Sequence, residues 1–197
     1  MDITEITERD DRQEMSRLAD GDETALDRLM ERHAQRLYHY LFRLLQNAAE
    51  AEDLAQETFV RVFRHAQRFD PAHRFLTWLF AIATNLVRDR ARRLARHTTI
   101  SIDTPLNDTG STLRDVLPGH EPSPAEHTLR QEQAEAVREA IARLPNDLRI
   151  PLVLAEYESL SQAAIAAITG GTPKAVEMRL YRARRLLRQR LAHLLPS

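Results

Sequence analysis

Residues 77–93 read "TWLFAIATNLVRDRARR". With the two residues before them, they place Phe75, Trp78, Leu79, Ile82 and Leu86 three and four apart. That spacing marks a helix with one core-facing stripe. The second half changes character: Asn85, Arg88, Asp89, Arg92 and Arg96 recur at the same spacing on another side, with Arg93 beside them. The pattern predicts a helix over about 74–96, anchored by its first turns and cationic along its end. Trp78 is the only tryptophan, and core packing is its simplest role.

The flanks extend the picture. Upstream, "RFDPAHRF" (68–75) interrupts the helical period, because Pro71 fixes its own φ and disfavours helix at Asp70. This loop carries Arg68, Phe69, His73 and Arg74, a mixture of cations and an aromatic ring that could hold an unstacked base. Before it, a helix over about 49–68 would bury Leu54, Phe59, Val62 and Phe63. A longer helix capped by Thr24 carries Leu29, His33, Leu37, Tyr40, Leu41 and Leu44, and Asn47 ends it. A short helix over 12–20 breaks at Asp20-Gly21-Asp22. Downstream, residues 97–127 hold four prolines, two glycines and few apolar residues, which predicts a flexible linker.

Beyond the linker, amphipathic segments cover 128–143 and 147–157. Ser161 can cap a helix through Ile168, Thr169-Gly170-Gly171 can turn, and Thr172 can cap a last helix with Pro173 at its first position. Helix, glycine turn and capped helix form a helix-turn-helix pattern. In the last helix Val176, Leu180, Ala183 and Leu187 share a face, and Lys174, Met178, Tyr181, Arg182 and Arg185 lie opposite. A recognition helix needs that division, since one face holds it to its domain and the other enters the major groove. The alternative is a solvated arginine-rich face on a structural helix.

The fold class expected is therefore all-α, two small helical domains over 1–96 and 128–197 joined by the linker 97–127. Composition agrees. The 197 residues are rich in helix formers, with 5 glycines and 6% aromatics. No cysteine is present, so disulfides and thiolate metal sites are excluded. No apolar run approaches the roughly 20 residues that span a bilayer, and the acidic start is unlike a signal peptide, so a cytoplasmic protein without membrane insertion is expected. The net charge of −1 conceals segregation. Residues 1–60 carry 15 acids and 7 bases (net −8), and 61–100 carry 2 and 9 (net +7). Residues 101–160 carry 11 and 5 (net −6), and 161–197 carry 1 and 7 (net +6). Two separate cationic surfaces suit two nucleic-acid contacts.

No nucleophile–base constellation, glycine-rich phosphate loop or metal-ligand spacing accompanies the carboxylates at 50–57, so neither an enzyme nor a cofactor is expected. Those acids serve as dipole partners at a helix start or as an acidic patch for a basic protein.

Three segments together resemble a known family. "AEAEDLAQETFVRVFR" (49–64), "FLTWLFAIATNLVRDRARR" (75–93) and "LSQAAIAAITGGTPKAVEMRLYRARRLLRQRL" (160–191) are similar in order and spacing to segments of bacterial RNA polymerase sigma factors of the extracytoplasmic-function (ECF, group IV) family. The resemblance implies a first domain that binds core RNA polymerase and opens the −10 promoter element, and a second that reads the −35 element. It implies polymerase contacts at Asp53, Gln56 and Glu57. It implies −10 contacts at Arg68, Phe69, His73, Arg74, Asn85, Arg88, Asp89, Arg92, Arg93 and Arg96. For promoter DNA at −35 it implies Thr172, Lys174, Ala175, Met178, Arg179, Tyr181, Arg182 and Arg185. An anti-sigma factor is a further implied partner. Ala164, Ala175, Glu177 and Met178 depart from the family's commoner residues, which leaves the −35 sequence open. The rival reading is a stand-alone helix-turn-helix regulator of duplex DNA. A second rival is a helical adaptor whose basic faces only keep it in solution.

Overall fold

A computed structural model describes residues 3–98 and 124–194; the greater part of the expected linker lies outside the described residues. Every regular element among them is helical. Helix α1 spans Ile3–Ala19, α2 Thr24–Leu45, α3 Ala48–Arg64 and α4 Phe75–Thr98. After the gap come α5 (Pro124–Ala142), α6 (Asn146–Glu156), α7 (Gln162–Thr169) and α8 (Pro173–Arg190). Short 3-10 turns cover Ala66–Arg68 and Ala192–Leu194.

Local chemistry sets the ends of these helices. Thr24 is the first residue of α2 and not its cap: Glu23 holds the N-cap position without a side-chain cap bond, and the Asp22 carboxylate before it accepts from the Thr24 amide (3.1 Å) and hydroxyl (2.6 Å). Those bonds hold the Asp22 carboxyl below its usual range. Gln46 ends α2 in a left-handed conformation (φ 54°), and the Asn47 side chain accepts from the Glu50 amide at the start of α3. At the end of α5, orphan carbonyls are met by arginines rather than by glycine: Arg149 donates to Ala142 and Arg190 to Ala140. Burial pushes the Arg149 guanidinium below its ordinary range.

The first four helices bury Met15, Leu29, Leu37, Tyr40, Leu41, Leu44, Phe59, Val62, Leu79 and Phe80. Each large apolar side chain so removed from water contributes about 1.5–3 kcal/mol before entropy is charged against it. Tyr40 lies wholly inside, edge-on to Phe80 and hydrogen-bonded to Thr84 (2.7 Å). Burial drives its hydroxyl far above the ordinary tyrosine range. A second set of Ile150, Leu152, Leu154, Ile165, Val176, Leu180 and Ala183 centres the last three helices.

Two further expectations change. The first helix begins well before residue 12, and its earlier turns bring in Glu8 and Asp11. Phe63 is not core: it is 43% exposed, because the inward side of α3 is completed by Ala51, Ala55, Phe59 and Val62. The two helical halves stand on either side of the expected linker, and they also pack on each other. Helix α4 lies against α7, and α2 against α6. Arg36 of α2 donates to the Glu158 carboxylate (2.7 Å) and carbonyl (3.0 Å). Its guanidinium also lies 5.9 Å from the centre of the Phe80 ring. Glu158 is only 4% exposed. Arg43 lies 4.3 Å from the centre of the Tyr157 ring, and Arg88 donates to the Thr169 carbonyl (2.9 Å).

Candidate nucleic-acid interface

The second half carries the simpler surface. Gly170 and Gly171 turn the chain with φ of +76° and +114°, values that residues carrying a Cβ rarely adopt. The Thr172 hydroxyl then accepts from the Ala175 amide (3.2 Å), and Pro173 opens α8. Val176, Leu180 and Ala183 are buried and hold the helix down. Lys174, Met178, Tyr181, Arg182 and Arg185 stand exposed on the other side, with Ala175 and Arg179 half-buried at its edge. Lys174 is tied to Glu177 (2.9 Å) and Arg184 to Glu156 (2.7 Å). Among the described residues Arg182, Arg185 and Arg188 make no ion pair, so their charge is open to an anion. Arg188, which the sequence reading passed over, joins Tyr181 and Arg185 along one groove. Its signal was present, three residues beyond Arg185 in the same period.

The first half presents a two-part surface. The loop before α4 is tightened by Asp70, whose carboxylate accepts from the Ala72 amide (2.9 Å) and meets the His73 ring (3.1 Å). Phe69 leans on Trp78 with ring centres 5.3 Å apart, and both meet Phe75 at 6.2 and 6.3 Å. Trp78 is therefore half-buried in an aromatic cluster under the loop, not sealed in the core. Arg68, His73 and Arg74 are exposed around it, and Arg74 pairs with Glu8.

Along α4, Trp78, Ile82, Asn85 and Asp89 follow one another at four- and three-residue steps. Asn85 is exposed about 10 Å from Trp78, at 1.5 Å rise per residue. The helix thus lines up an aromatic cluster, a side-chain amide and then cations. The cations are mostly engaged within the chain. Arg88 holds Thr169, Arg90 pairs with Glu50, and Arg92 with Asp89. The bond from Arg92 keeps the Asp89 carboxyl below its usual range. Arg93 and Arg96 are exposed at the end of the helix.

Helix α3 carries a third surface. Asp53 and Gln56 are exposed, and Glu57 is half-buried in a pair with Arg61 (2.9 Å). Val60 (40% exposed) and Phe63 continue the same stripe. An acidic start followed by exposed apolar side chains is the make-up of a protein-docking face. The period alone could not show it, because α3 has apolar residues on both sides.

Comparison with known proteins identifies the family to which the chain that carries these surfaces belongs. A family model of Sigma-70 region 2 matches residues 29–97, and one of Sigma-70, region 4, matches 134–187. The RNA polymerase sigma-H factor of Pseudomonas aeruginosa is 31% identical over 194 residues, covering 96% of this chain and 98% of that one. The ECF RNA polymerase sigma factor SigW of Bacillus subtilis is 31% identical over 175 residues, which span 88% of this chain and 92% of that one. The fold resembles that of the sigma factor RpoE from Bartonella quintana, solved with the anti-sigma factor NepR (TM-score 0.69, 20% identity, 84% of this chain and 96% of the other). With both regions in order along one chain, and near-full-length similarity to an ECF sigma factor, the protein belongs to the ECF family of RNA polymerase sigma factors.

Proposed function

We propose that this chain directs core RNA polymerase to promoters by dividing the work between its two basic helices. Helix α8 reads the −35 element as duplex through Arg182, Arg185 and the residues around them. The loop 68–74 and the exposed side of α4 act on the −10 element as its strands part. Asp53, Gln56 and the apolar Val60 and Phe63 dock on the polymerase. The observation that carries the division is the contrast between the surfaces. An exposed cationic helix face suits phosphates and base edges of a duplex. An aromatic cluster beside an amide suits unstacked bases. Catalysis has no part in this reading. Binding that favours open over duplex DNA is sufficient. The site of action is the cytoplasm, and an anti-sigma factor is the expected antagonist, as for the RpoE–NepR pair.

The reading demands motion between the halves 1–96 and 128–197. By their positions the two promoter elements lie about 25 base pairs apart, about 85 Å at 3.4 Å per pair. A packed chain of this length is only about 40 Å across. Arg88 is also held by the second half. The two halves therefore separate when the protein joins polymerase and promoter, which frees Arg88 for the −10 region.

Transcription from a double-stranded template with purified core polymerase tests the reading. The chain should give specific initiation and permanganate-reactive thymines near −10, and core polymerase alone should give neither. Tight, specific duplex binding without polymerase, and no opening with it, would favour the stand-alone regulator.

A further inference from the structure

Helix α1 reaches the −10 loop from two directions. Asp11 is 2% exposed and lies between α1 and α2. One carboxylate oxygen accepts from Arg32 (2.6 Å), and the other from His33 Nε2 (2.8 Å). An ionised carboxylate only accepts, so it fixes which ring nitrogen of His33 carries the hydrogen and how the ring is turned. His33 is 5% exposed, and its ring lies 5.3 Å from Phe75. Phe75 in turn touches Phe69 and Trp78. On the outer side, Glu8 of α1 pairs with Arg74 at the far end of the same loop. The 3-10 turn Ala66–Arg68, where the loop begins, also packs on α1.

We infer that Glu8, Asp11 and His33 are positioning residues for strand opening, through which α1 holds the loop 68–74 and its aromatic cluster in the geometry that receives an unstacked base. None of the three need touch DNA. Asp11 sets His33, His33 backs Phe75, and Phe75 sets Phe69 and Trp78. Glu8 restrains Arg74, which would otherwise swing freely at the loop's end. Holding a base out of its stack requires a pre-formed receiver, because any ordering left to the moment of capture is subtracted from the binding energy. This inference rests on the reading that the loop captures a −10 base.

The test uses the full chain with core polymerase, on a promoter fragment selected from a random library by the unaltered holoenzyme. Single abasic nucleotides are placed in turn across the non-template −10 strand. The unaltered protein should open one such template markedly more slowly, which identifies the captured base. Asp11→Asn and His33→Leu should leave closed-complex affinity within about twofold and slow opening of the intact template about tenfold, short of the roughly 100-fold that a 1 Å misplacement can cost. Glu8→Gln, an outer pair that cannot unfold the chain, should slow opening about threefold, and Glu8→Asp should restore part of it. Trp78 emission, free of other tryptophans, should shift in the Asp11 and His33 variants before any DNA is added. On the abasic template the variants and the unaltered protein should become equal, an outcome that general loss of fold cannot produce. Opening of the intact template at the parent rate by all three variants, or an equal further loss on the abasic one, would overturn the positioning role while leaving base capture intact. If no abasic position slows the unaltered protein, base capture itself falls, and the positioning role falls with it.

Discussion

Helices α4 and α8 are both arginine-rich and both rooted by an apolar stripe, yet they face the solvent differently. On α8 Arg179, Arg182, Arg185 and Arg188 make no ion pair among the described residues, while on α4 Arg88, Arg90 and Arg92 are each bound within the chain. One helix keeps an open cationic face. The other is partly spent on bonds within its own molecule. Sequence charge is therefore a poor guide to available charge. What separates the two helices is where their arginines find partners: Arg88 on Thr169 across the packing of α4 on α7, Arg90 on Glu50 of α3, and Arg92 on Asp89 of its own helix.

The most forceful way to break this comparison is to lock it. The chain has no cysteine, so Arg36→Cys and Glu158→Cys would supply its only thiols. A short cleavable bismaleimide between them should keep the halves together. Two linked contacts that cannot be made at once lose their joint advantage, about 100-fold or more in affinity. Promoter-dependent transcription should fall accordingly and return after the linker is cut. Retained activity in the locked form would show that the halves work without parting.

Releasing the contact should have the next largest effect. Arg36→Ala leaves Glu158 buried without its cation, a loss worth about 3–5 kcal/mol for a fully buried pair. Arg36 is 44% exposed along its side chain, so solvent screening reduces this to about 2 kcal/mol. That is about a 30-fold shift toward separated halves. Fluorophores on Arg12→Cys and Gln189→Cys, both at exposed positions, should report it as reduced energy transfer. An unchanged transfer efficiency would mean that apolar packing, not the ion pair, holds the halves.

Much of this was legible in the residues. Helix spacing, the Ser161 and Thr172 caps and the glycine turn all read true, because each is a local effect that neighbouring residues determine. Glu158 was not legible. A glutamate after a tyrosine at a helix end reads as solvated, and only a partner 122 positions away makes it a buried group. Phe63 failed for a related reason: α3 offers more apolar residues than its inner side can bury, and sequence does not say which are left over. Asp11 and Glu8 were missed because an acidic opening stretch has no apolar period to mark it as structured. The candidate surfaces of α4 and α8 could be named residue by residue, but which of their cations are free could not.

The division between the helices can be sharpened with one variant on each. Arg185→Ala should weaken closed-complex formation about tenfold, and the salt slope should fall by about 1 if a phosphate contact is lost. Asn85→Ala should leave that binding nearly intact and reduce permanganate reactivity near −10. On a template with a pre-opened bubble the Arg185 defect should persist and the Asn85 defect should shrink. Equal loss of duplex binding by both variants, with no change in opening, would erase the division and favour a protein that only binds duplex DNA.

The smallest expected effect lies at the edge of the contact between halves. Arg43 sits over the face of Tyr157, which is 42% exposed. An exposed cation–π contact is worth about 0.5–1 kcal/mol. Tyr157→Leu keeps an apolar side chain there but removes the ring's negative face. The closed arrangement should weaken by about two- to fivefold, well short of the Arg36→Ala shift. Tyr157→Phe keeps the face and should behave as the parent. The same pair of fluorophores reads both variants, and salt separates the causes. Raising the ionic strength should narrow the gap between Arg36→Ala and the parent, because a charge pair is screened. The gap between Tyr157→Leu and Tyr157→Phe should change less, since the ring carries no net charge. If Tyr157→Phe opens the molecule as far as Tyr157→Leu does, the hydroxyl rather than the ring face holds this edge. The contact between the halves would then rest on a hydrogen bond in place of the cation.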